Sequence, residues 1–112
     1  MATKEEISMI GFEIVAYAGD ALTDLLHGLD AAREGDFDRA EELRKSAYDA
    51  LIKAHEVQTD VLSKECGGNA MDVTFVMVHA QDTLMTTMML EKQFKFIVDQ
   101  YKRIAELEAK IA

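Results

Sequence analysis

Apolar side chains recur three or four residues apart along almost the whole chain, and no proline interrupts them. That spacing follows the helical turn, so each run lays one stripe along one helix face. The first stripe is Ile7, Ile10, Ile14, Ala18, Ala21, Leu25, Leu29 and Ala32. The second is Phe37, Ala40, Leu43, Ala47, Leu51, Ala54, Gln58 and Leu62. The third is Val73, Val76, Ala80, Thr83, Thr87, Leu90, Phe94, Ile97, Tyr101 and Ile104. Only two segments break the pattern. In Glu34-Gly35-Asp36 the glycine ends one helix and the aspartate caps the next. Cys66-Gly67-Gly68-Asn69 is the second break. The spacing therefore predicts helices over about 3–34, 36–66 and 71–110. Long helices joined by tight connections must run up, down and up, an all-α antiparallel three-helix bundle in one domain over residues 1–112.

Composition narrows the partners. The 112 residues carry 12 basic and 21 acidic side chains, a net charge of −9. Nucleic acid and anionic membrane surfaces both call for clustered Lys and Arg, so no nucleic acid and no direct membrane contact is expected. The 49% apolar content is that of a folded domain. A single cysteine, Cys66, excludes an intrachain disulfide and a cysteine-based zinc site. Met1-Ala2-Thr3-Lys4-Glu5-Glu6 lacks the pattern of a secretory signal. The longest apolar stretch, Val73 to Leu90, is interrupted by His79 and Asp82 and is too short for a comfortable membrane span. A cytoplasmic location is expected.

The third helix is apolar on nearly every side between Val73 and Leu90, because Phe75, Met77, Val78, Leu84, Met85, Met88 and Met89 lie off its main stripe. A helix apolar all round needs burial all round, which two partner helices cannot supply. Self-association is the expected source of the missing surface. A Met-rich docking face for another protein is the alternative.

Within that stretch lie His79, Gln81, Asp82 and Thr83. His79 and Asp82 are one turn apart and share a helix side. Histidine serves as base, nucleophile or metal ligand near neutral pH. With no Lys or Arg in the stretch, Asp82 needs a histidine, a metal or water to balance its charge. A satisfied structural histidine beside a locally bonded aspartate fits the spacing equally well. His55 fits a supporting group or, more simply, a partly exposed structural histidine; Asp24 and His27 pair at i, i+3 near a helix end; Cys66 has no base adjacent in sequence; and the chain has no Glu-x-x-His for a di-iron bundle. A phosphocarrier, a non-catalytic helical adaptor and a metal-binding bundle all remain open on these residues.

Four separated segments resemble one family. Val78-His79-Ala80-Gln81-Asp82-Thr83-Leu84-Met85-Thr86-Thr87 is similar to the signature of the lactose/cellobiose-type enzyme IIA component of the bacterial phosphoenolpyruvate-dependent sugar phosphotransferase system. Gly11-Phe12-Glu13-Ile14-Val15-Ala16-Tyr17-Ala18-Gly19-Asp20-Ala21 resembles its first-helix motif. Gly35-Asp36-Phe37 and Ala54-His55 with Gln58-Thr59 fall in the matching order. The resemblance implies a three-helix protomer assembled as a homotrimer. It implies phosphorylation of His79 as tele-phosphohistidine, with phospho-HPr as donor and a IIB cysteine as acceptor. A membrane IIC component, the only link to the membrane, then moves the sugar. It further implies that three copies of Asp82 meet on the trimer axis around a hard divalent cation, magnesium being the expected one. Gln81 and Thr83 are candidate supporting donors. The family commonly has a second histidine directly after this aspartate, where this chain has Thr83, whose hydroxyl retains the ability to donate to a phosphate oxygen. The choice of sugar belongs to the membrane component.

Overall fold

The computed structural model describes residues 2–112, and these form α1 (Lys4–Arg33), α2 (Phe37–Cys66) and α3 (Phe75–Ile111) with no strand among them. The starts are set by side-chain caps that satisfy amide groups left free by the helix. Thr3 Oγ1 accepts from the Glu6 amide at 3.1 Å, Asp36 from Arg39 at 3.1 Å, and Thr74 Oγ1 from Met77 at 3.1 Å. Gly35, with φ at +87°, takes the left-handed turn that lets the Asp36 amide reach back to the Ala31 carbonyl at 2.9 Å.

The third helix begins at Phe75, four residues later than the apolar spacing predicts. Thr74 is extended, at φ −101° and ψ 155°, and closes the first turn with its own hydroxyl. The apolar Val73 therefore belongs to the connection; its spacing to Val76 continues the stripe without continuing the helix.

α1 is the middle of the bundle. It packs along both other helices, whereas α2 and α3 meet only sparsely. Gly11 and Gly28 of α1 let α3 come close: a Cβ at Gly11 would lie 3.0 Å from Val76 Cγ1, and one at Gly28 would lie 2.9 Å from Phe94 Cζ. The pairs Gly11 with Val76 and Gly28 with Phe94 also show that α1 and α3 run in the same direction. α2 runs against both. Ser46 donates to Asp24 at 2.6 Å, Gln58 to Gln81 at 2.8 Å, and Arg44 to Glu91 at 3.4 Å.

The core is an alanine-rich seam with Ile14, Leu25, Leu51, Leu84 and Phe94 as its larger members. In α3 the buried positions are Ala80, Leu84, Thr87, Phe94 and Val98. Leu84, off the stripe read from sequence, is fully buried, while Thr83, Leu90 and Ile97 are half-buried. A helix apolar on all sides has no polar flank to fix which face turns inward, so its register shifts under packing. The molecule is a rod of 65 × 20 × 19 Å. Because Gly28 lies against Phe94, α1 ends near the level of Asp99, and the last turns of α3 run on beyond it.

Candidate functional site

His79 lies in the second turn of α3 with its side chain exposed. The side of α3 turned away from the core carries an uncovered apolar file. Phe75, Val78, Met85, Met89 and Phe96 are 87%, 51%, 43%, 55% and 61% exposed. Asp82 stands in the same file, also exposed, so the file reads 75, 78, 82, 85, 89 in steps of three and four. His79 is on its flank. Gly11 packs against Val76 and Met77, which brings the exposed Met9 and Phe12 of α1 to the level of these first turns. The histidine is thus bordered by apolar surface on its own helix and near apolar surface on its neighbour.

The candidate residues do not all gather around the imidazole. Gln81 is turned toward α2, where its Oε1 accepts from Gln58 Nε2 at 2.8 Å; its own amide N–H groups remain free to donate. Thr83 Oγ1 donates to the His79 carbonyl at 2.8 Å, so its proton is used within the helix. Thr86 Oγ1 does the same to the Asp82 carbonyl at 2.9 Å. The Asp82 carboxylate has no ion-pair or hydrogen-bond partner among the described residues and meets water instead. Of the three ways to balance its charge, solvent is the one the single chain supplies. His55 is exposed on α2, beside an open groove between α2 and α3 of about 470 Å³ that Tyr48, Ile52 and Met88 also line. His27 and Cys66 are exposed elsewhere, and Asp24 is occupied by Ser46.

Among the described residues no three His, Cys, Asp or Glu side chains of one chain form a metal-holding group. Asp82 offers a free carboxylate, an oxygen donor of the kind a hard cation takes, but only one per chain. A metal there would have to be shared between copies. The first turn of α3 also differs from those of α1 and α2. Glu5 and Glu6 start α1 and Asp38 starts α2, whereas α3 has no acidic side chain in its first turn. The partial positive charge of that helix start is left for another anion. The ionic network of the bundle lies far along α3. There Arg44 reaches Glu41 at 2.8 Å and Glu91 at 3.4 Å. The hydrogen bond from Arg44 holds the Glu41 carboxyl below its ordinary range, and Glu41 in turn raises Arg44.

Two features escaped the sequence reading. The Gln58–Gln81 bond joins residues on different helices and has no local signal. The file through Asp82 was visible as spacing, but the separate residues read as a generally apolar helix until one face was assigned to the core.

The three-helix rod is a fold shared with solved IIA proteins. Residues 9–102 match the family model described as the lactose/cellobiose-specific IIA subunit of the phosphotransferase system. The lactose-specific EIIA component of Lacticaseibacillus casei is 59% identical over 110 residues, covering 98% of each chain. The crystal structure of the cellobiose-specific enzyme IIA from Bacillus anthracis superposes with a TM-score of 0.86 at 27% identity, covering 95% of each chain. The IIA(chitobiose) of an IIA(chitobiose)–HPr complex from the Escherichia coli phosphotransferase system gives 0.77 at 28% identity, covering 89% of this chain and 97% of that one. The chain belongs to the lactose/cellobiose-specific IIA family. It is a component of a sugar phosphotransferase system with a part in phosphoryl relay. No helix among the described residues is long and apolar enough to cross a membrane.

Proposed function

We propose that the protein accepts a phosphoryl group from phospho-HPr on His79 and passes it to a cysteine of a IIB component in the cytoplasm. The observation that carries this reading is an exposed histidine, bordered by apolar surface, inside the segment matched by the family model. In the first step Nε2 of a neutral His79 attacks phosphorus in line. A new N–P bond forms and the N–P bond to the donor imidazole breaks. In the second step the acceptor thiolate attacks, an S–P bond forms as the N–P bond to His79 breaks, and the imidazole is released. Such a transfer needs positioning and charge compensation more than covalent help. The α3 start supplies a favourable field for the added negative charge, worth about 0.3–1 kcal/mol. The Gln81 amide is the nearest uncommitted side-chain donor in sequence, and reaching the phosphate would require it to turn from Gln58. Thr83 would first have to release the His79 carbonyl.

Met9, Phe12, Phe75 and Val78 offer apolar contact area to each protein partner in turn, and such transient contacts are small. The net charge of −9 favours a donor with a basic rim. The uncovered α3 file supports a homotrimer in which three such files face one another. Asp82 of each copy would then ligate a shared Mg²⁺ or similar hard cation, which when bound neutralises the three carboxylates.

Incubation with phosphoenolpyruvate, enzyme I and HPr, followed by intact-mass measurement, tests the acceptor. One acid-labile phosphoryl group per chain is expected, and His79→Ala should abolish it without loss of helix. Full phosphorylation of that variant would move the assignment to His55 or His27.

A further inference from the structure

The opening turns of α3 hold His79, yet little in their own sequence fixes how they are turned about the helix axis. Val76, Met77, Ala80 and Leu84 face the bundle, while Phe75, Val78 and Met85 on the open side are apolar as well. Turning the helix exchanges one apolar side for another, which burial alone resists weakly. The contact with α1 runs through Gly11, which lets α3 approach closely but has no side chain to grip it. α2 is joined to α3 by residues 67–74 and meets it only sparsely.

At this level one polar bond crosses between α2 and α3. Gln58 Nε2 donates to Gln81 Oε1 at 2.8 Å. Gln58 is 8% exposed, and a side-chain amide is kept at such depth where it has a partner. Gln81 follows His79 by two residues, about 200° round the helix, so the bond is made on the far side from the imidazole. Over so short a span a helix turns as one body. A rotation of roughly 30° moves a side chain at the helix rim by about 3 Å. That is enough to break the amide bond on one side and to swing the His79 ring equally far on the other.

We propose that Gln58 is a positioning residue for phosphoryl transfer, acting through Gln81 to hold the rotation of α3 at which His79 presents its ring to the donor. The proposal rests on His79 as the acceptor and adds what aims it. In-line attack tolerates little misplacement, and a shift of about 1 Å can cost on the order of 100-fold in rate. A single polar pair set among apolar contacts is also the device that fixes register where apolar packing leaves it open.

The test is the rate of His79 phosphorylation by phospho-HPr in the full-length protein, followed over a range of donor concentrations. Circular dichroism confirms that each variant is folded at the assay temperature. Gln58→Met and Gln81→Met keep the side-chain length and remove the bond. Each should lower kcat about tenfold, with KM changed by less. The double variant should be no slower than either single one, because both residues act through one bond. Gln58→Glu should stay within about threefold of wild type, since a carboxylate accepts from the Gln81 N–H and a carboxylic acid donates to its Oε1. A Gln58→Met protein that melts earlier but transfers at the wild-type kcat overturns the proposal and leaves Gln58 a structural residue. Loss in Gln81→Met alone overturns it in favour of a direct role for Gln81. Losses that multiply in the double variant, or a Gln58→Glu as slow as Gln58→Met, overturn the shared bond as the cause. If either single variant does not fold, the double variant, which leaves no amide unpaired, decides: wild-type kcat overturns the proposal and a loss of about tenfold supports it. A folded wild type that takes no phosphoryl group on His79 overturns the acceptor reading itself and the proposal with it.

Discussion

Thr87 takes its hydroxyl into the core at 1% exposure, and its Oγ1 has no hydrogen-bond partner among the described residues. Its neighbours Thr83 and Thr86 bond back to carbonyls one turn earlier; Thr87 does not. A buried hydroxyl left unpaired costs about 1–3 kcal/mol, so Thr87→Val, nearly the same shape, should stabilise the protein by ~1 kcal/mol. A melting temperature raised by about 4 °C would agree. A lowered one would mean that the hydroxyl finds a partner in solution. His79 was legible in the sequence because its motif is local and its chemistry needs few companions. The surroundings of Gln81 and Thr83 were not. Which way a helical side chain turns depends on the helix beside it, and Gln58 is far away in sequence. Thr83 has two local choices, outward or back to the His79 carbonyl, and spacing does not separate them.

Gly28 shows how the helices settle against one another. A methyl group there would come within 2.9 Å of Phe94, a ring at 1% exposure, and within 3.4 Å of the Ala40 carbonyl. Helix propensity alone would make Gly28→Ala favourable by about 1 kcal/mol. The overlap costs about 1–3 kcal/mol, so the net expectation is a less stable protein. A gain measured by urea denaturation would show that α1 and α3 separate at little cost. Between α2 and α3 the Arg44 guanidinium supplies the ionic tie, to Glu91, beside the Gln58–Gln81 hydrogen bond, and Glu41 helps hold it. Since the Glu41 carboxyl is lowered in the folded state, its contribution is present above the ordinary glutamate value of 4.5 and is lost as pH falls through the folded value. Solvent screens this pair, so Glu41→Gln should cost under ~1 kcal/mol near neutral pH and nothing in strong acid. Equal stability of the two proteins across the whole acid limb would discount the pair. At this scale the sequence served well for α1 and α2, whose buried positions follow the predicted stripes. It placed the α3 start too early because Val73 keeps the helical spacing with Val76, while the extended Thr74 between them caps the helix and sets its start at Phe75.

The whole molecule leaves uncovered what a self-sufficient bundle would bury. The file from Phe75 to Phe96 faces water, with an acidic side chain in its midst. In the proposed homotrimer three such files would crowd three carboxylates, whose mutual repulsion opposes assembly unless a cation intervenes. Asp82→Asn should therefore weaken metal binding. Asp82→Leu should remove the metal and leave the trimer intact or tighter, since apolar side chains replace buried charge without loss. Metal analysis of the purified proteins decides: equal content in wild type and both variants would exclude an Asp82 site. The three-helix architecture could be read from the stripes alone. The long open groove between α2 and α3 could not, because amphipathic spacing says that a face is apolar and not which neighbour takes it. The central place of α1 has a consequence in time. Its contacts with α2 follow a short turn and close quickly, while its contacts with α3 join segments distant in the chain and must wait for a larger loop to close. The helix that bears His79 is then the last to dock and the first to loosen, so in hydrogen exchange the amides of α3 should open before those of the α1–α2 hairpin in a dissociated protomer.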